Sequence, residues 1–198
     1  DGVIAERYAL AYDLAPKRHP HIDMPTHKKL FEGNIFEGTY GMECGPECKS
    51  EYGSFWAELL ARKDEMALVP GMDAVVRDCA DNHDMFIVSS TIEEAIHHIL
   101  DPLKLRPLFK EILGANAGES KVAKIRSILA KYDADPAHYV FITDTLGDIR
   151  EAGRLSISAI AVSWGFHDRE TLMRGEPLAF VESPAALQAA IESHFMNP

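Results

Sequence analysis

Long apolar runs are missing from this sequence: none approaches the ~20 residues that a membrane-spanning helix requires, so a soluble chain is the expectation. Cysteine is scarce as well. Cys44, Cys48 and Cys79 are an odd set of three in 198 residues, which excludes a disulfide framework and fits a reducing, cytoplasmic setting. Cys44 and Cys48 have no second matching pair, so a structural zinc site is not expected even with His19 and His21 as further donors. Positive charge is also short. Lys+Arg of 20 against Asp+Glu of 31 gives a formal net charge of -11, and a general nucleic-acid binder, which needs clustered cations against the phosphate backbone, is excluded. A small anionic ligand would need a local cation or a metal. An initiator methionine is absent too, the chain opening at Asp1, so the lack of a leader carries no information about targeting.

What the chain does have is concentrated between Phe141 and Ile149. The run Tyr139 to Ile142 is β-branched and aromatic and follows Asp135-Pro136, the pattern of a buried parallel strand. Asp144 stands at its carboxyl end. Ile149, Ala152 and Leu155 then have helical spacing, which puts Asp148 at or near a helix start, where exposed N–H groups favour an anion. Asp148 alone reads as a helix cap. Two carboxylates around one turn at a strand tip fit Mg2+ better, since that ion takes hard oxygens and only one or two protein carboxylates, leaving room for phosphate and water.

From Asp84 onward the pattern alternates strand and helix. Met85 to Val88 is a short strand ending in Ser89-Ser90-Thr91, and Ile92 to Leu100 is a helix opened by Thr91. Leu108 to Leu113, closed by Gly114, reads as a short helix or turn. Lys121 to Tyr132 is a helix with Val122, Ile125, Ile128 and Leu129 on one face, Ser158 to Ser163 a strand ended by Trp164-Gly165, and Pro184 to Phe195 an amphipathic helix with proline in its first turn. This alternation predicts an α/β fold, a doubly wound parallel sheet, whose ligands bind outside the carboxyl ends of the strands. Ser89, Asp144 and the Trp164-Gly165 loop should converge there.

The first half breaks the rhythm. A crossover from Asp1 to the Ser89 strand needs a few dozen residues, which leaves about sixty for an insertion. The expected organisation is a core of residues 1–12 and 70–198 around a small helical cap of residues 13–69. In the cap, Thr26 to Phe31 and Ser54 to Arg62 have helical patterns, and Gly33, Gly38, Gly41, Gly45 and Gly53 punctuate the stretch between them, as a mobile lid or as plain loop. Val69-Pro70-Gly71-Met72 marks the return to the core, followed by a helix from Asp73 to Cys79.

Asp1-Gly2-Val3, Ser89, Lys121, and Asp144 with Asp148 thus occur in order along the chain. In that order they resemble the motifs of the haloacid dehalogenase superfamily, in its phosphoglycolate-phosphatase-like branch with a cap between the first two motifs. The resemblance implies a Rossmann-like core and a Mg2+-dependent phosphatase acting on a small phosphorylated metabolite through an aspartyl-phosphate. Asp1 is similar to the second aspartate of the first motif, the general acid/base, and is grouped with Asp144 and Asp148 as a metal residue. Ser89, with Ser90 beside it, resembles the motif-two hydroxyl that bonds the phosphoryl group. Lys121 resembles the motif-three lysine that balances the charge of carboxylates and phosphate, with Lys124 as a competitor for the role. Asp144 and Asp148 resemble the motif-four acids that hold Mg2+, with Thr143 in place of the usual preceding glycine. The tail from Ala161 to Gly165 and Glu182-Ser183-Pro184 also reads like this branch.

The family's nucleophile is the aspartate two positions before the one matched by Asp1, and neither it nor the first strand of the sheet is in this sequence. The expectation is therefore an N-terminally truncated chain that is inactive as given. A phosphomutase of the same fold and a non-catalytic binding or regulatory domain are the alternatives; a dehalogenase has no need of the Asp144 and Asp148 acids. Lys28, Lys29, Tyr40 and Trp56 are cap residues for which substrate contact and ordinary surface or core roles are equally good readings.

Overall fold

The computed structural model describes residues 2–14, 23–33, 55–115 and 119–196. Two short strands, β1 (Ala5–Glu6) and β2 (Ala67–Leu68), pair antiparallel and bring the outgoing and returning passages of the chain side by side. Between them lie helices α1 (Tyr8–Leu14) and α2 (Met24–Lys29) and a helix α3 at residues 55–61. Asp23 caps α2, its carboxylate accepting from the Thr26 N–H at 2.9 Å, with proline in the first turn. Leu10 and Leu14 of α1 bury against Leu59 of α3, with Met66 and Ala95 completing the cluster. The expected core boundary after residue 12 falls inside α1. The stretch holding Gly38, Gly41, Gly45, Gly53, Tyr40, Cys44 and Cys48 lies outside the described residues, as do His19 and His21.

The rest of the chain alternates as expected: α4 (Met72–Asn82), β3 (Met85–Val88), α5 (Glu93–Leu100), β4 (Phe109–Leu113), α6 (Lys121–Lys131), β5 (Val140–Thr143), α7 (Leu146–Gly153), β6 (Ser158–Val162), α8 (Arg169–Met173), β7 (Ala179–Val181) and α9 (Pro184–Met196). Strands β3 and β4 pair in parallel, as do β5, β6 and β7 in that order. The strands alternate their faces. Val140 and Ile142 pack with Val75 of α4 and Leu187 and Ile191 of α9. Phe141 faces the other way, with Val88, onto Ile125 of α6 and Ala152 of α7. Helices thus cover both faces of the parallel strands, which is why the strands are almost continuously apolar.

Two expectations are corrected. Leu108 to Leu113 is not a helix or turn: Pro107 opens a single 3-10 turn, Arg106–Leu108, and Phe109–Leu113 is strand β4, in register with β3 through Ile87 to Ile112 and Val88 to Leu113. Five residues between a proline turn and Gly114 are too few for a packed helix but enough to complete a ladder. Thr91 does not open the next helix either. Ile92 is the cap position and the helix begins at Glu93, while Thr91 is wholly buried and its carbonyl accepts from Ala115 N–H at 2.8 Å, tying the β3 exit to the β4 exit.

Among the described residues no strand pairs with the second edge of β3 or with that of β5. A cavity of about 1050 Å³ lined by both strands extends from Asp84 and Asp135 to Ser89 and Asp144 at the carboxyl ends of the strands.

Candidate functional site

Four elements deliver side chains to that end. Strand β3 runs into Ser89, β5 into Asp144, and the first turns of α6 and α7 carry Lys121 and Asp148. Capping fixes both helices. Ser120 accepts from Ala123 N–H at 3.2 Å to start α6, so Lys121 is its first residue. Thr145 accepts from Asp148 N–H at 3.4 Å to start α7.

Asp148 is the hub. Lys121 Nζ lies 2.6 Å from its Oδ2, in a pair whose side chains are only 16% and 11% exposed, and the Thr143 hydroxyl donates to the same oxygen at 2.7 Å. Thr143 Oγ1 also accepts from Thr145 N–H at 3.2 Å, so the residue that departs from the family glycine orients the second carboxylate. Asp144 is 5% exposed. Its Oδ2 accepts from Phe166 N–H at 2.9 Å and its carbonyl from His167 N–H at 3.1 Å. Burial pushes its carboxyl well above the usual carboxylate range, and the neighbouring Asp148 charge pushes in the same direction. A β-carbon at Gly2, whose φ is +70°, or at Gly165 would collide with the Asp144 side chain, so both positions leave this carboxylate its space.

The two lysines separate cleanly. Lys121 reaches the carboxylates. Lys124 is 1% exposed, and its Nζ donates to the carbonyls of Ser89 at 2.8 Å and Gly114 at 2.6 Å, a strut between the ends of β3 and β4. Burial lowers its pKa. Ser89 is buried with its Oγ accepting from Thr91 N–H at 3.0 Å, and Ser90 beside it is half-buried. Asp1 and Tyr40 lie outside the described residues, though Gly2 seats on Asp144. Lys28 lies over the Tyr8 ring, its Nζ 5.1 Å from the centroid. Lys29 is exposed, and Trp56 packs edge-on against Phe55 beside the cap cluster.

Sequence reading missed His167, Phe166 and Glu151. His167 is 3% exposed; its Nδ1 accepts from Leu146 N–H at 3.0 Å, which leaves Nε2 to carry the proton donated to Lys28 O at 2.9 Å. One imidazole thus ties α2 of the cap to the start of α7. Burial holds its pKa below the usual histidine range. Phe166 meets Tyr8 edge-on with ring centroids 4.0 Å apart and Phe31 at a tilt at 4.4 Å, forming an aromatic layer between cap and carboxylates. Glu151, one turn after Asp148, is buried with its carboxyl pushed up by burial and then by Asp148. The rule that ligand residues follow strand ends would have picked out Phe166 and His167, which follow β6; nothing in the sequence marks Glu151.

Among the described residues no group of three or more His, Cys, Asp or Glu has metal-holding geometry. Mg2+ asks for less: Asp144 and Asp148 supply hard oxygens, and a divalent cation would offset both the burial and the neighbouring charge that disfavour the ionised Asp144 carboxylate.

A family model described as haloacid dehalogenase-like hydrolase matches residues 39–162. A phosphoglycolate phosphatase of Synechococcus elongatus is 30% identical over 105 residues, covering 53% of this chain and 50% of that protein, so the match spans about half the length of this curated relative. A predicted phosphatase from Clostridium acetobutylicum superposes with a TM-score of 0.81 at 18% identity, covering 98% of this chain and 95% of that one. A hydrolase from Pseudomonas syringae gives 0.80 at 17% identity, with the same coverage of 98% and 95%. The two structures share the fold across nearly the whole chain.

Proposed function

This chain belongs to the haloacid dehalogenase-like hydrolase family, and we propose that its Asp144 site carries out Mg2+-dependent hydrolysis of a small metabolite's phosphomonoester, in the manner of a phosphoglycolate phosphatase. The observation that carries the reading is the assembly of Asp144, Asp148, Lys121 and Ser89 at one end of the parallel strands. A phosphoryl group there would meet a lysine, a hydroxyl and two carboxylates suited to a cation. The 30% identical phosphoglycolate phosphatase supports the substrate class.

The attacking group is the family aspartate two positions before Asp1. Its carboxylate oxygen bonds to phosphorus as the ester oxygen departs, and Asp1 gives that oxygen a proton. Water, deprotonated by Asp1, then splits the aspartyl-phosphate to inorganic phosphate and restores the carboxylate. Lys121 and the Ser89 hydroxyl face the equatorial oxygens, where the transition state spreads its charge. Asp144 and Asp148 would hold Mg2+, which would neutralise phosphate charge. Thr143 keeps Asp148 turned towards Lys121, and Phe166 with the cap aromatics keeps bulk water from the carboxylates.

The test is phosphate release from a phosphomonoester panel that includes phosphoglycolate, using the chain extended upstream through the aspartate, with and without Mg2+. Release that needs Mg2+ and is lost on replacing that aspartate by asparagine is expected. Isomerisation of a sugar phosphate without phosphate release would instead identify a mutase.

A further inference from the structure

We propose that Thr143 sets which divalent cation the Asp144 site accepts: its hydroxyl occupies one oxygen of Asp148, leaves that carboxylate a single oxygen for a metal, and so favours Mg2+ over Ca2+. The selectivity rests on the reading of Asp144 and Asp148 as the Mg2+ carboxylates; the hydrogen bonds that produce it stand on the geometry alone.

Asp148 Oδ2 already has two donors. The Thr143 hydroxyl lies 2.7 Å from it and Lys121 Nζ 2.6 Å, and one carboxylate oxygen offers about two acceptor sites. The direction of the Thr143 hydroxyl follows from its second contact. Its Oγ1 accepts from Thr145 N–H at 3.2 Å, and because an N–H only donates, the hydroxyl proton points at Asp148. Oδ1 is the oxygen left for a cation. Asp144 is arranged alike, with its Oδ2 accepting from Phe166 N–H at 2.9 Å.

The two donors on Oδ2 differ in permanence. Lys121 carries its ammonium on a flexible stem with rotatable donors, free to turn towards a phosphoryl oxygen. Thr143 cannot follow it. It is 1% exposed, it stands at the end of β5 paired with Ala161 of β6, and its β-branched side chain has little rotamer freedom. One donor therefore stays on Oδ2 whatever Lys121 does. The glycine usual at this position in the family has no hydroxyl, so the constraint belongs to this chain. Its effect differs between cations. Ca2+ takes many oxygens in a flexible shell and readily uses both oxygens of one carboxylate, whereas Mg2+ holds to a tight octahedron that needs one oxygen from each. Closing Oδ2 costs Ca2+ a ligand and costs Mg2+ none. Thr143 is thus a positioning residue that acts through Asp148.

Isothermal titration of Mg2+ and of Ca2+ into the parent protein, Thr143→Val, Thr143→Ser and Lys121→Met reads the ratio of the Ca2+ Kd to the Mg2+ Kd without any turnover. Thr143→Val keeps the β-branch and removes the hydroxyl, and the ratio should fall about tenfold, the scale of one hydrogen bond to a charged group. Thr143→Ser keeps the donor and should keep the parent ratio. Lys121→Met removes a charge that both divalent ions feel alike, so the ratio should stay within about twofold of the parent's. Thr143→Ala sets no methyl against the carboxylate and repeats the hydroxyl loss should the valine variant not fold. An unchanged ratio in the hydroxyl-free variants overturns the proposal, as does a fall in Thr143→Ser or Lys121→Met as large as that in Thr143→Val; Mg2+ binding that still depends on Asp144 then leaves the metal reading standing. Mg2+ binding unaltered in Asp144→Asn places the cation elsewhere and removes the metal reading together with the proposal.

Discussion

Lys121 and Lys124 lie one helical turn apart, and their surroundings assign them different work. Lys121→Met takes from Asp148 the lysine paired with it while leaving the helix cap at Ser120 intact. In the catalytically competent protein it should lower kcat by about 10²- to 10³-fold, the effect of removing one positioned charge from a phosphoryl site, with little change in melting temperature. Lys124→Met does the opposite. It leaves two buried carbonyls without their donor and should cost about 2–4 kcal/mol of stability. Paired kinetic and thermal measurements check both, and equal kinetic losses in the two variants would sink the assignment. His167 carries a pH signature. Because its folded pKa lies below the unfolded value near 6.5, its contribution to stability is complete above about pH 6.5 and is lost as pH falls through the folded value. Asp144 and Glu151 have raised carboxyl pKa values and act with the opposite sign, so the useful measurement is a difference. Glutamine can accept from Leu146 N–H and donate to Lys28 O without titrating; His167→Gln should therefore flatten the acid fall in thermal stability below about pH 6.5. An unchanged slope would reject His167 as its source. Lys121 was legible from motif order alone. His167 was not, because its role exists only where a loop after β6 meets the cap.

The seam between cap and core is built at the start of α7. The 3-10 turn Leu30–Glu32 approaches so closely that a β-carbon on Gly147 would stand 2.8 Å from the Phe31 carbonyl, with the Gly33 carbonyl closer still. Arg150 donates to Glu32 O at 2.7 Å, and Arg174 pairs with the Glu32 carboxylate at 2.6 Å. Gly147→Ala should therefore lift the turn off α7 and destabilise the chain by about 1–3 kcal/mol, more than alanine's helix propensity returns. A denaturant midpoint equal to or above the parent's would show that the turn yields without cost. How elements could be read from sequence follows the same local logic. Helices α6 and α9 were visible because apolar residues recur over three turns, Val122, Ile125 and Ile128 in one and Leu187 and Ile191 in the other. Strand β4 was misread because the six residues between Pro107 and Gly114 show no period that separates strand from turn. The two-residue strands β1 and β2 are shorter than any pattern, and only their pairing across the insertion defines them.

Across the whole molecule, the order of the motifs foretold more than their spacing did. Ser89, Lys121, Asp144 and Asp148 come from four elements spread along the chain, and the parallel strands bring them to one end, as expected for a sheet of this class. Periodicity does not show which strands pair, because β3 and β5 are equally apolar whether or not a neighbour lies alongside the cleft between them. The site at the mouth of that cleft predicts how the fold responds to a cation. Folding brings Asp144 and Asp148 together beside a single close lysine, whereas in the unfolded chain the two carboxylates are separately hydrated and hold Mg2+ weakly. Mg2+ should therefore bind the folded state selectively and stabilise it by RT ln(1 + [Mg2+]/Kd), about 2.7 kcal/mol at 100 times Kd. For a chain of this size that is a rise of about 5–10 °C in melting temperature. In Asp144→Asn the buried carboxylate is replaced by a neutral amide of the same shape, so the apo protein should melt no lower than the parent while its response to Mg2+ disappears. Matched Ca2+ and NaCl titrations separate this from screening of the net charge of -11. A Mg2+ shift of the same size in Asp144→Asn would place the cation elsewhere on this acidic surface and remove the metal from the Asp144 site.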